Sequence, residues 1–68
     1  MLKKGKYRHF KGGEYEVLFT ALDSENLNEL VVYKALYDEG KIWVRPLKEF
    51  EETVTRDGKA FKRFEYLG

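Results

Sequence analysis

The stretch Leu30-Val31-Val32-Tyr33-Lys34-Ala35-Leu36-Tyr37, then Asp38-Glu39-Gly40, then Lys41-Ile42-Trp43-Val44-Arg45-Pro46 decides the fold. Two runs rich in β-branched and aromatic residues flank a three-residue connector that ends in glycine. This is the pattern of a hairpin built on a type I turn followed by a left-handed residue. Gly40 is the residue that takes positive φ without a steric penalty.

With Asp38-Glu39-Gly40 as connector, Tyr37 is expected opposite Lys41, Ala35 opposite Trp43 and Tyr33 opposite Arg45. Side chains alternate across a strand, so these six share one face, while Val32, Lys34, Leu36, Ile42 and Val44 share the other. One face is mainly aliphatic and suits a core. The other is aromatic and basic.

Outward from the hairpin, Tyr7 to Phe10 reads as a short strand stopped by Lys11-Gly12-Gly13. Glu14 to Ala21 alternates, with Tyr15, Val17 and Phe19 on one side. Asp23 to Glu29 is a polar loop whose Asp, Ser and Asn side chains bond their own backbone. Pro46 ends the central hairpin and suits the start of a helical turn, in which Leu47 and Phe50 lie on one face. Thr53 to Thr55 returns to β character, Asp57-Gly58 marks another turn, and Phe61 to Leu67 closes the chain as a strand.

The spacing predicts an all-β domain over 1–68, a small SH3-like β-barrel of five to six short antiparallel strands. They fall near residues 6–10, 14–21, 30–37, 41–46, 53–56 and 61–67, with one helical turn after Pro46 and a flexible basic arm over 1–5. Closure into a barrel would remove exposed strand edges; an OB-type barrel is the alternative. Val17, Phe19, Val32, Leu36, Ile42, Val44, Phe50 and Phe64 are the expected core, with Tyr15 partly buried.

Sixty-eight residues leave room for one core. There is no cysteine, so neither a disulfide nor a thiolate metal site is available, and a reducing, cytoplasmic setting is expected. Five Phe, five Tyr and one Trp take over the stabilising part that disulfides or metals play in other small domains. No apolar run approaches a membrane span, and no signal peptide is visible.

Beyond these readings, a series of motifs is shared with a known family. Tyr7-Arg8-His9-Phe10-Lys11-Gly12, Tyr15-Glu16-Val17, Ser24-Glu25, Val31-Val32-Tyr33, Ala35-Leu36-Tyr37 and Trp43-Val44-Arg45-Pro46 follow one another in the order and spacing of bacterial domain-of-unknown-function family 1653. Phe50, Val54, Asp57-Gly58 and Arg63-Phe64 continue the pattern, so the chain resembles that family over nearly its whole length. Asn26 stands where the family often has threonine. The resemblance implies a small SH3-like barrel in a bacterial cytosol, and it carries over no catalytic residue.

The chemistry on offer is sparse. His9 is the single histidine and Ser24 the single serine, and neither comes with the neighbours that general-base or nucleophilic catalysis requires. The loop from Asp23 to Glu29 lacks the central glycine and terminal glutamate of a calcium-binding loop. Gly12-Gly13 lacks the Gly-Lys-Ser/Thr of a phosphate loop. No catalysis, cofactor or metal is expected.

Two binding surfaces are readable. Tyr33, Tyr37, Trp43 and Arg45 form an aromatic strip with a guanidinium at one end, suited to a protein segment or small ligand unless the core consumes it. Lys3, Lys4, Lys6, Arg8 and Lys11 crowd the first eleven residues without an acid among them, although the net charge of the chain is +1. With the aromatic face they make the alternative, single-stranded RNA. A monomer or weak homodimer is expected.

Overall fold

A computed structural model describes residues 2–68. These form seven strands and one short helix: β1 (Gly5–His9), β2 (Glu14–Leu22), β3 (Glu29–Ala35), β4 (Ile42–Pro46), α1 (Leu47–Phe50), β5 (Thr53–Arg56), β6 (Lys59–Lys62) and β7 (Phe64–Tyr66). Five strands make one antiparallel sheet in the order β4-β3-β2-β1-β7, and β5 and β6 make a separate two-stranded sheet. The all-β expectation holds, and the helical turn after Pro46 is present, with Pro46 as its N-cap residue. The sheet does not close into a barrel. Pro46 and α1 carry the chain away from the β4 edge, and among the described residues β5 and β6 pair with each other alone.

The expected closing strand is divided. Asp57 and Gly58 both take positive φ, 53° and 75°, which makes a tight hairpin turn and leaves Lys59–Lys62 facing Thr53–Arg56. Only Phe64–Tyr66 then joins the main sheet, beside β1.

The central hairpin has the expected Gly40 in the left-handed region at φ 67°. Its register differs from the expected one by two residues: Tyr33 lies opposite Trp43, Val32 opposite Val44 and Val31 opposite Arg45. The cause is Leu36, whose N–H donates to the Glu14 carbonyl at 2.9 Å, while Ala35 closes the ladder on the Lys41 carbonyl at 2.9 Å. Residues 36–40 therefore form the loop. A shift of two preserves the alternation, so Tyr33, Trp43 and Arg45 still share a face.

That face, not the aliphatic one, is the core face. Tyr7, Val17, Val31, Tyr33, Phe50 and Phe64 form the buried cluster, with Leu2, Tyr15 and Leu47 packed against it. α1 lies across β3 and β4 and lowers Phe50 onto this side. Val17, Val32, Phe50 and Phe64 are buried as expected, whereas Phe19, Leu36, Ile42 and Val44 are exposed. For Phe19 the reason is a β-bulge between Val17 and Phe19. Val17 lies opposite Tyr33, but Phe19 lies opposite Val32, so the residue after the bulge swaps faces. For Ile42 and Val44 the reason is that α1 covers the opposite side. Phe19, Val32 and Val44 therefore form an apolar row across the outer face.

Between β2 and β3 the polar loop folds as its composition predicts. The Asp23 carboxylate accepts from the Glu25 N–H and the Asn26 side chain accepts from the Asn28 N–H, both at 2.9 Å. At the other end of the chain, the Tyr7 hydroxyl donates to the Lys3 carbonyl at 2.6 Å, and Leu2 rests on the core. Residue 1 of the expected arm over 1–5 lies outside the described residues, while Gly5 is already part of β1.

Candidate functional site

The four residues of the aromatic strip separate into two pairs. Tyr33 is 4% exposed, and its hydroxyl accepts from Arg45 Nε at 3.3 Å. The Arg45 guanidinium lies 5.7 Å from the Phe64 ring centroid and reaches Glu49 at 3.8 Å, one helical turn on. Tyr33 and Arg45 thus seal the core at the end of α1; they are not a free ligand surface. The cation is kept by partial solvation, an acidic neighbour and an aromatic ring, which together offset its desolvation.

Tyr37 and Trp43 remain on the surface, 43% and 50% exposed. With Ala35, Lys41, Asp38 and Glu39 they line an open cleft of about 580 Å³. The cleft exists because the loop 36–40 bends over the sheet end while α1 covers only the other half of this face. Gly13 lies against the rings of Tyr37 and Tyr15: a Cβ there would sit 3.2 Å from the first and 3.3 Å from the second, tight enough that the rings would have to give by a few tenths of an ångström.

Tyr15 is the residue that the sequence reading placed only in the core. It sits one strand over from the hairpin, opposite Ala35, and its ring meets those of Tyr33 and Tyr37 edge-on, at 5.3 and 5.5 Å. Its hydroxyl and that of Tyr37 are hydrogen-bonded to each other. Burial first, and then the bond to Tyr37, push the Tyr15 hydroxyl up to about 12. The signal for it was the face it shares with Val17 in β2, which the β2–β3 register carries over to Tyr33.

Trp43 lies on β4, an edge strand. In an antiparallel ladder the residues of a hydrogen-bonded pair point their backbone groups at each other, and those between them point away. Since Ala35 bonds Lys41, the backbone groups of Lys41 and Trp43 face β3, and those of Ile42 and Val44 face outward. The cleft therefore adjoins an open row of backbone donors and acceptors.

The basic residues near the N-terminus are not gathered into one patch. Lys6 and Arg8 alternate with buried Tyr7 and stand opposite Glu16 and Glu14; Arg8 and Glu14 make an ion pair at 3.0 Å. The Lys3 ammonium lies 5.3 Å from the Tyr66 ring centroid, Lys4 is exposed, and Lys11 reaches over Phe10 at 5.7 Å. His9 pairs with Phe64 across β1 and β7, and its Nδ1 accepts from the Lys11 N–H at 3.1 Å. Burial, followed by the charges of Arg45, Arg63 and Lys11, holds its pKa below the ordinary imidazole value.

Comparison with known proteins gives two matches. The family described as "protein of unknown function (DUF1653)" matches residues 5–66. The chain is also similar to a protein of that family from Bordetella bronchiseptica known from its crystal structure, at 35% identity with a TM-score of 0.89, over 98% of this chain and 88% of the other. No curated protein matches. No helix among the described residues is long and apolar enough to cross a membrane.

Proposed function

The chain belongs to the DUF1653 family, and from that premise we propose that it acts as a non-catalytic binding module that takes an extended protein segment against β4. The observation that carries this reading is the half-exposed Trp43 on an open strand edge, beside Tyr37 and above the cleft. A rigid indole loses little entropy on contact, and such anchors dominate binding energy at interfaces. Backbone groups of Ile42 and Val44 are available to an added strand, which supplies affinity independent of its sequence. The cleft then selects the side chain that enters it, with Lys41 on one side and Asp38 and Glu39 on the other. The sole histidine supports a non-catalytic role, since Nδ1 is engaged and its ring lies against Phe10 and Phe64. A chain without cysteine suits a reducing compartment, and the same proposal sets the module in the cytoplasm.

Peptides selected from a random display library on the wild-type protein test the proposal. Their affinity should fall about 30-fold for Trp43→Ala, the loss of about 2 kcal/mol expected of an anchor. It should fall also for Val44→Pro, which removes an outward N–H at an edge position that tolerates proline. Equal binding to both variants would refute it.

A further inference from the structure

The hairpin β5–β6 presents a second surface. Val54 pairs with Phe61 and Arg56 with Lys59, so these four share one face of the ribbon. Arg56 and Lys59 are like charges placed directly opposite each other beside the turn, an arrangement that weakens a two-stranded ribbon unless an anion joins them. Phe61 on the same face is 43% exposed. The end of β1 approaches this face: Phe10 with Arg56, Asp57, Lys59 and Phe61 lines a cleft of about 330 Å³. A second cleft of about 380 Å³ continues from Phe10 and Phe61 past His9 to Lys62. Among the described residues Lys11, Arg56, Lys59 and Lys62 have no carboxylate within ion-pair distance, whereas Arg8 is already held by Glu14. Asp57 and Glu65 are the acids that line these clefts.

We propose that the Phe10–Phe61 cleft, lined by Arg56 and Lys59 and continued by the neighbouring cleft to Lys62, is a binding site for single-stranded nucleic acid. Phe61 offers its ring to a base beside Phe10, whose own ring is already met by His9 at 4.6 Å and by the Lys11 ammonium at 5.7 Å. Arg56, Lys59 and Lys62, cations without a carboxylate partner among the described residues, line the path of the phosphates. Stacking platforms flanked by a cationic track are the means by which small β domains hold unpaired strands without reading sequence. An acidic peptide would satisfy the cations but would leave the Phe61 ring unused. The site shares no residue with the Tyr37–Trp43 cleft, so either proposal stands without the other.

Fluorescence anisotropy of a labelled oligouridylate at low and at physiological salt tests it. The double variant Arg56→Glu/Lys59→Glu keeps a like-charge pair at the hairpin end and reverses the charge seen by a ligand. Because Asp57 lies between the two positions, its melting curve is recorded beside that of Arg56→Gln/Lys59→Gln, which should also weaken binding. The charge-reversed variant should weaken binding at least tenfold and flatten the dependence of log K on log salt by about 1.4, the value for two phosphate contacts on a single strand. Phe61→Ala, with an unaltered melting curve, should weaken binding about tenfold, and Trp43→Ala should leave it unchanged. No binding of the oligonucleotide at low salt would overturn the proposal. So would polyglutamate binding as tightly, or a loss confined to Trp43→Ala.

Discussion

Phe50 and Phe64 stack face to face, with centroids 4.0 Å apart and planes 5° from parallel. One ring comes from a single turn of helix and the other from a three-residue strand, so this pair ties the two least regular elements to the sheet. Tyr7 and Tyr33 meet Phe50 edge-on at 5.3 and 5.4 Å and complete the cluster.

Phe50 is 1% exposed. Truncating it to alanine removes about 3–5 kcal/mol, against a total stability of about 3–10 kcal/mol for a chain of this length. Phe50→Ala is expected to be largely unfolded at room temperature. A cooperative urea transition with its midpoint near wild type would show that the stack contributes little.

The hydroxyl pair of Tyr15 and Tyr37 yields an alkaline signature. Tyr15 is raised from 10.0 to about 12, so its contribution to stability is fully present below pH 10 and is lost as pH rises through 12. Tyr37→Phe should bring the Tyr15 titration down part of the way, because burial, the larger cause, stays. Phenolate absorbance against pH measures this; an unmoved titration would rule out the bond as a cause.

His9 acts on the acid side. Its folded pKa lies below the ordinary 6.5, so the unfolded chain takes up the proton first as pH falls. Its contribution is therefore complete above pH 6.5 and declines as pH drops toward the folded value. Thermal melts from pH 7.5 to 5 should fall more steeply for wild type than for His9→Gln. Parallel curves would contradict the burial of the imidazole.

Trp43 should be quenched readily by acrylamide in the free protein, as befits a half-exposed indole on an edge strand. A shielded indole would place it in an interface between copies or in the core, and the Tyr37–Trp43 cleft would then not be available to a peptide.

What could be read in the sequence was local. Leu47 and Phe50 three residues apart, Asp57-Gly58 and Gly40 each state their conformation through their own backbone or spacing, and each is found as stated. What escaped depended on partners remote in sequence. The hairpin register is set by the Leu36–Glu14 bond, 22 residues apart, and Phe19 leaves the core because a bulge aligns it with Val32. The choice of covered face was equally remote: both faces of β3 and β4 carry apolar residues, and α1 decides between them. For that reason Tyr37 and Trp43 stay exposed, while Tyr33 and Arg45, on the same face, are drawn beneath the helix.

The β5–β6 ribbon is joined to the main sheet at its base, where Arg63 donates its N–H to the Glu52 carbonyl and accepts from the Phe10 N–H. Among the described residues it shares no ladder with the five-stranded sheet. Its amide hydrogens therefore need no global unfolding to reach solvent: they exchange through openings of the ribbon alone, at rates set by its own few bonds, while Val31 and Tyr33 wait for the whole sheet. One small chain is thus expected to carry two cooperative units of unequal protection, which a hydrogen-exchange map would separate at Arg63.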